Sequence, residues 1–125
     1  MNTEQRSCKE KIQEELQREE KTFLRFMNNT DDDTIEEFNS YGLDFSLVES
    51  YTFKNQPIAY YRYQLSWGGP SDEIRFYQDG RIQYWYMDWY DGAKVDISDK
   101  NWANWLSEIF DISSRSFINN SNYSV

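Results

Sequence analysis

Apolar side chains in the first part of the chain recur at helical spacing. Ile12, Leu16, Phe23 and Met27 are four or seven positions apart, so in a helix they share one face. Charged and amide side chains fill most of the intervening positions, and neither Gly nor Pro occurs from residue 4 to 27, which predicts one helix over that span. Its first half is thin in apolar residues and is expected to be solvated, with the second half docked on the domain. A helix that finds a partner, a second copy of itself included, is the competing reading. After Asn28, Asn29 and Thr30, the spacing of Asp33 and Glu36 fits a capping box. It predicts a short helix that buries Ile35 and Phe38 and stops at Gly42.

From Leu43 the period changes to two. Leu43, Phe45 and Leu47 alternate with Asp44 and Ser46, and Tyr51 and Phe53 extend this strand with a shift of register. A second strand is expected from Ile58 to Trp67, between Pro57 and the turn-forming Gly68-Gly69-Pro70. Residues 73–78 and 81–87 flank Asp79-Gly80, the signature of a hairpin closed by a two-residue type I′ turn. Ile74 and Phe76 then share a face with Ile82, Tyr84 and Tyr86, while Trp85 and Met87 point the other way. Residues 88–97 read as loop or a short edge strand. Ser98 caps a final helix, on which Trp102, Trp105, Leu106, Ile109 and Phe110 form one face.

These elements predict an α+β fold: a long N-terminal helix, a short acidic helix, an antiparallel meander of three or four strands and a C-terminal amphipathic helix. One domain accommodates all 125 residues. Its parts are the helix at 1–28, an acidic segment at 29–51, an aromatic sheet at 52–97, a helix at 98–111 and a fraying tail at 112–125.

Composition narrows the chemistry. Histidine is absent, which removes Ser-His and Cys-His nucleophile systems and most zinc sites. No Walker loop, nucleophile elbow or EF-hand spacing occurs, so no cofactor and no metal are expected. The single Cys8 falls in a stretch that reads as exposed helix, and an unpaired thiol without a disulfide framework favours a reducing compartment. The opening MNTEQRSCKE lacks the apolar core of a secretion signal and no apolar run is long enough for a membrane span, so a cytosolic location is expected.

The formal net charge is −9, and its distribution matters more than its size. Residues 29–51 hold Asp31, Asp32, Asp33, Glu36, Glu37, Asp44 and Glu49 and no cation, so seven of the nine units sit there. Solubility and helix capping explain part of this clustering. An anionic surface that engages a basic protein site is the functional reading. Direct nucleic-acid binding is not expected of so acidic a chain. Eleven of the 31 residues from Tyr60 to Tyr90 are aromatic, enough to load both faces of the strands. Either the rings pack in a core, or some remain outside as an interface. The candidate partner-binding residues are the seven carboxylates with Trp85, Asp88, Trp89, Tyr90 and Asp91. No catalytic residue is assigned, although a carboxylate pair such as Glu73 with Asp88 is the pattern a glycan-cleaving enzyme would use.

The stretch Tyr63 to Ala93, YQLSWGGPSDEIRFYQDGRIQYWYMDWYDGA, resembles small proteins carried on bacterial phages, plasmids and integrated elements. In these a SWGGPSDE turn precedes a hairpin and an MDW-aromatic-DGA segment. No activity is established for them, so the resemblance implies no site residues. In general character the chain is similar to phage-encoded inhibitors of host defence, including anti-CRISPR and antirestriction proteins. The expectation is a non-enzymatic inhibitor that presents carboxylates to the basic surface of a nucleic-acid-binding protein. An immunity or antitoxin-like protein, or an orphan binding module, is the alternative.

Overall fold

The computed structural model describes residues 7–119. Helix α1 (Cys8–Asn28) is followed by α2 (Asp32–Asn39), strands β1 (Asp44–Val48), β2 (Tyr60–Ser66), β3 (Pro70–Tyr77), β4 (Ile82–Asp88) and β5 (Asp91–Asp96), then α3 (Asn101–Ile109) and α4 (Ser114–Asn119). The strands form one antiparallel meander in sequence order, so the fold is α+β with five strands rather than three or four.

Helix α1 begins with a reciprocal capping box. The Ser7 hydroxyl accepts from the Glu10 N–H, and the Ser7 N–H donates to Glu10 Oε1 at 2.8 Å. The predicted residues 4–6 lie outside the described residues. Cys8, Ile12, Leu16, Phe23 and Phe26 are all buried, so the first half of α1 is docked as firmly as the second. Cys8 is correspondingly not an exposed helical thiol, and burial pushes its pKa up, away from thiolate reactivity. The stripe that would serve self-pairing is already covered by the sheet.

Register divides the sheet into two faces. Phe45, Tyr61, Tyr63, Ile74, Phe76, Ile82, Tyr84 and Val95 fall on the face under the helices. The predicted partition of the hairpin is therefore correct. Rings fill this layer: Phe23 stacks on Trp102 at 5.4 Å, and Phe45 on Phe110 at 4.2 Å. Such geometry adds to what area burial alone contributes. The opposite face carries Tyr60, Arg62, Gln64, Glu73, Arg75, Gln83, Trp85 and Lys94.

Local chemistry explains the departures from expectation. The hairpin loop has three residues, Gln78-Asp79-Gly80, because Tyr77 N–H donates to Arg81 O at 2.9 Å and only Gly80 has positive φ, at +96°. That is a type I turn with a bulge, which Asp79-Gly80 serves as well as type I′. Of the two readings of residues 88–97 the short edge strand is the right one: Asp91 and Gly92, which resemble a turn, pair with β4 across a turn at Trp89-Tyr90. Ser98 does not cap α3. Its hydroxyl accepts from Ile82 N–H at 2.9 Å and ties the chain to β4, while Lys100 occupies the cap position.

Helix α2 is capped by Asp31, not Asp33, through Thr34 N–H at 2.9 Å. Its Ile35 is exposed, as is Ile109 of α3. Tyr51 and Phe53 are exposed in turns rather than in a strand. Gly42 lies three residues beyond α2 and does not stop it. The expected fraying tail contains α4, whose Phe117 is buried against Tyr61. Among the described residues no helix is long and apolar enough to cross a membrane.

Candidate functional site

The candidate residues separate into two groups. Cys8 N–H at the start of α1 donates to Asp91 Oδ2 at 2.7 Å, whereas Arg25 near its end clasps Glu37 through two bonds of 3.0 and 2.7 Å. At 1.5 Å per residue these anchor points are about 25 Å apart along the helix. The α2 carboxylates and the Trp89 turn therefore do not form one surface patch, whereas Asp44 lies beside Trp67.

Several carboxylates are occupied locally. Asp31 caps α2, and its bond from Thr34 N–H holds its pKa below the usual carboxylate range. The Arg25 guanidinium lowers Glu37 in the same direction. Asp44 accepts from the Ser46 hydroxyl at 2.9 Å. Glu49 sits in the β1–β2 connection, where its carbonyl accepts from Gln56 Nε2. Asp88 pairs with Lys11 at 3.5 Å. Asp91 is lowered chiefly by the Cys8 N–H. Asp32, Asp33 and Glu36 remain, exposed on α2. They lie in or just after its first turn, where carboxylates suit the helix dipole.

Trp85 is not a free anchor. Its ring lies 3.7 Å from the Arg75 guanidinium, which also covers Tyr60 at 4.5 Å, and its Nε1–H donates to Gln83. Arg75 in turn binds the buried Glu73 at 2.6 Å. Glu73 belongs to the outer face and Asp88 to the helix-side face, so the carboxylate pair suited to glycan cleavage is not assembled. Among the described residues no cluster of three or more potential ligands could hold a metal.

The exposed rings gather at the other end of the sheet. Trp89 is 83% exposed and Tyr90 fully so, both at the β4–β5 turn. Trp67, which is not among the candidate residues, is 75% exposed in the β2–β3 connection. Trp67, Gly68, Gly69, Ser71, Met87 and Trp89 line one hollow of about 230 Å³. The SWGGPSDE and MDWYDGA segments are thus neighbours, with Pro70 opposite Asp88 and Ser71 opposite Met87.

Trp89 also has φ +55°, a backbone state that a bulky side chain adopts only at a cost. Trp89→Asn is expected to raise stability by about 1 kcal/mol, because Asn tolerates this conformation. Urea denaturation of the two proteins measures it, and an unchanged midpoint would show that the turn stores no strain.

Comparison with protein-family models, with curated proteins and with solved structures finds no match for this chain.

Proposed function

We propose that this chain is a non-enzymatic interaction protein that inhibits a nucleic-acid-handling defence complex by laying an acidic helix on its basic site. The observation that carries the reading is the α2 cluster. Asp32, Asp33 and Glu36 are exposed on α2, and Arg25, the cation that α2 meets on α1, is already clasped by Glu37. Their field is therefore uncompensated and free to steer toward a cationic surface. Duplex DNA carries one charge per roughly 1.7 Å, so three carboxylates imitate only a few ångströms of backbone. The geometry suits a local pocket that contacts a short stretch of phosphates or reads a short motif through arginines, not a long duplex channel.

The test is inhibition of purified defence nucleases, anti-CRISPR and antirestriction targets alike, by the wild type and by the triple variant Asp32→Asn, Asp33→Asn, Glu36→Gln. Loss of roughly tenfold or more in inhibitory potency is expected, with a steep salt dependence in the wild type alone. Equal potency in the variant discards the charge mechanism.

A second reading rests on Trp67, Trp89 and Tyr90. Large exposed rings of this kind anchor protein interfaces, and an immunity or antitoxin-like protein would use them to cover a toxin. Trp89→Ala with Tyr90→Ala separates the two, since it removes that contact and leaves the α2 carboxylates intact.

A further inference from the structure

Three hollows lie side by side across one end of the sheet and share their walls. The first, of about 210 Å³, is lined by Phe38 and Asn39 of α2 together with Leu43 and Asp44. Leu43 and Asp44 also line the second, of about 350 Å³, with Trp67. Trp67 is in turn a wall of the third, with Met87 and Trp89. Register explains the alignment. Asp44 at the start of β1 is opposite Gln64 near the end of β2, Ser66 is opposite Asp72 near the start of β3, and Pro70 is opposite Asp88 at the end of β4. These strand ends all lie at one end of the sheet. From β1 to β4 is three strand spacings, about 14 Å. Five extended residues cover that distance, and their first, third and fifth side chains share a face.

The walls are apolar and open. Leu43, Trp67 and Trp89 are all mostly exposed. Gly69, which lines the third hollow, is required by neither conformation nor packing. Its φ is not positive, and a Cβ there would meet nothing within 4 Å. Charge stands at the two ends. Asp32, Asp33 and Glu36 are exposed on α2, with Glu36 two residues before Phe38. Asp91 is exposed at the far end, beside the Trp89 turn. The middle is balanced, since Arg62 joins Asp44 in lining the second hollow. A second copy of this chain, with its own net charge of −9, would be repelled from these ends, and so would an anionic lipid surface or a nucleic acid.

We infer that this groove takes an extended segment of a cationic protein, with large apolar side chains at alternate positions and basic residues at both ends. The inference rests on the reading of the chain as a binder of basic surfaces, and it adds the element of the partner that is gripped. Apolar side chains at i, i+2 and i+4 enter the three hollows in turn. Nine extended residues reach about 30 Å, enough to place basic side chains at acidic ends about 25 Å apart. Apolar contact at the centre with charge at the rim is the usual anatomy of a protein interface.

The experiment is calorimetric titration of the full chain with the capped synthetic peptide Arg-Arg-Leu-Ser-Leu-Ser-Leu-Arg-Arg, which reads the same in both directions. A peptide with Ser in place of every Leu is expected to bind at least roughly tenfold more weakly, and so is one with Glu in place of every Arg. Trp67→Ala and Gly69→Leu are each expected to weaken the Leu peptide by roughly tenfold. Trp67 is exposed and the added Leu enters open space, so the melting temperature stays unchanged in both variants. No heat with the Leu peptide at millimolar concentration, equal affinity for the Leu and Ser peptides, or undiminished binding in either variant would each overturn the inference. Sedimentation of the chain alone and flotation with phosphatidylcholine vesicles test the other occupants. A dimer that Trp67→Ala dissociates, or vesicle binding that it abolishes, would overturn the inference in favour of a second copy or a lipid surface. The triple α2 variant separates this inference from the inhibition reading. Peptide binding that survives Trp67→Ala but falls in the triple variant would overturn the groove and leave the charge mechanism standing. Full inhibitory potency in the triple variant, with peptide binding weakened by Trp67→Ala and Gly69→Leu, would support the groove and discard the charge mechanism.

Discussion

Glu19→Gln is expected to stabilise the protein at neutral and alkaline pH and to flatten its stability profile between about pH 5 and pH 8. Glu19 reaches from α1 into the helix-side layer, where the Tyr41 hydroxyl donates to its Oε1 at 2.7 Å. It shares a hydrogen bond with Asp72, which is itself buried on β3 and accepts from the Tyr84 hydroxyl at 2.6 Å and from the Ser66 hydroxyl. Burial above all, with the Asp72 charge added, pushes the Glu19 carboxyl from 4.5 up to about 8. The same surroundings push Tyr84 upward, first by burial and then through Asp72.

The sign follows from which state holds the proton more firmly. The folded protein keeps Glu19 protonated where the unfolded chain has released it, so folding is most favoured by this group below about pH 4.5 and loses that contribution as pH rises toward 8. One unit of pKa is about 1.4 kcal/mol, and the loss is expected to be roughly 3 kcal/mol across the interval. A glutamine accepts from Tyr41 and donates to Asp72 without ever ionising, so it keeps the bonds and removes the titration. Urea denaturation at pH 5, 6.5 and 8 measures the effect. Parallel profiles for the two proteins would mean that Glu19 is ionised in the folded state across the range.

That acid was legible in principle. It continues the spacing of Ile12, Leu16 and Phe23, so the phase of α1 alone points it at the sheet. Apolar pattern was the readable part of this fold because burial enforces period on Leu, Ile and Phe. Ile74 and Phe76 against Ile82 and Tyr84 followed directly from alternation around a turn. What pattern concealed were polar residues with tertiary partners. Asp91-Gly92 resembles a turn and is a strand, paired with Asp88 and Met87 of β4, and the Asp91 side chain takes the Cys8 N–H from 83 residues away. Ser98 reads as a cap and is a stitch to Ile82. Arg62 and Gln64 look like the ordinary outward half of an alternating strand, and only the fold shows that Gln64 is buried, with its amide bound to the Ser66 and Asp72 carbonyls. Trp67 was hidden by its glycines, which advertise a turn and say nothing about the ring beside them. The acidic segment was readable as charge but not as geometry, since the pairing of Glu37 with Arg25 depends on how α2 folds back on α1.

Gly42→Ala is expected to destabilise the protein by about 3 kcal/mol, more than a single methyl normally does on a turn. A Cβ at this position would lie 2.1 Å from Cε1 and 2.6 Å from Cζ of Tyr63, inside any tolerable contact. The ring is held in place. Tyr63 is buried, it contacts Phe23 and Phe110, and its hydroxyl oxygen receives the Gly42 N–H. The clash is thus with a fixed wall and not with the end of a mobile side chain. A double-mutant cycle with Tyr63→Leu isolates it: removing the ring opens the space, so the pair is expected to be more stable than the two separate losses predict by at least about 1 kcal/mol. Simple additivity would show that the chain relaxes elsewhere. The position also sets the path of the chain, because Leu43 and Asp44 follow immediately and lead into β1. The glycine lets the chain pass over Tyr63 and enter β1 in the register that sets Asp44 opposite Gln64.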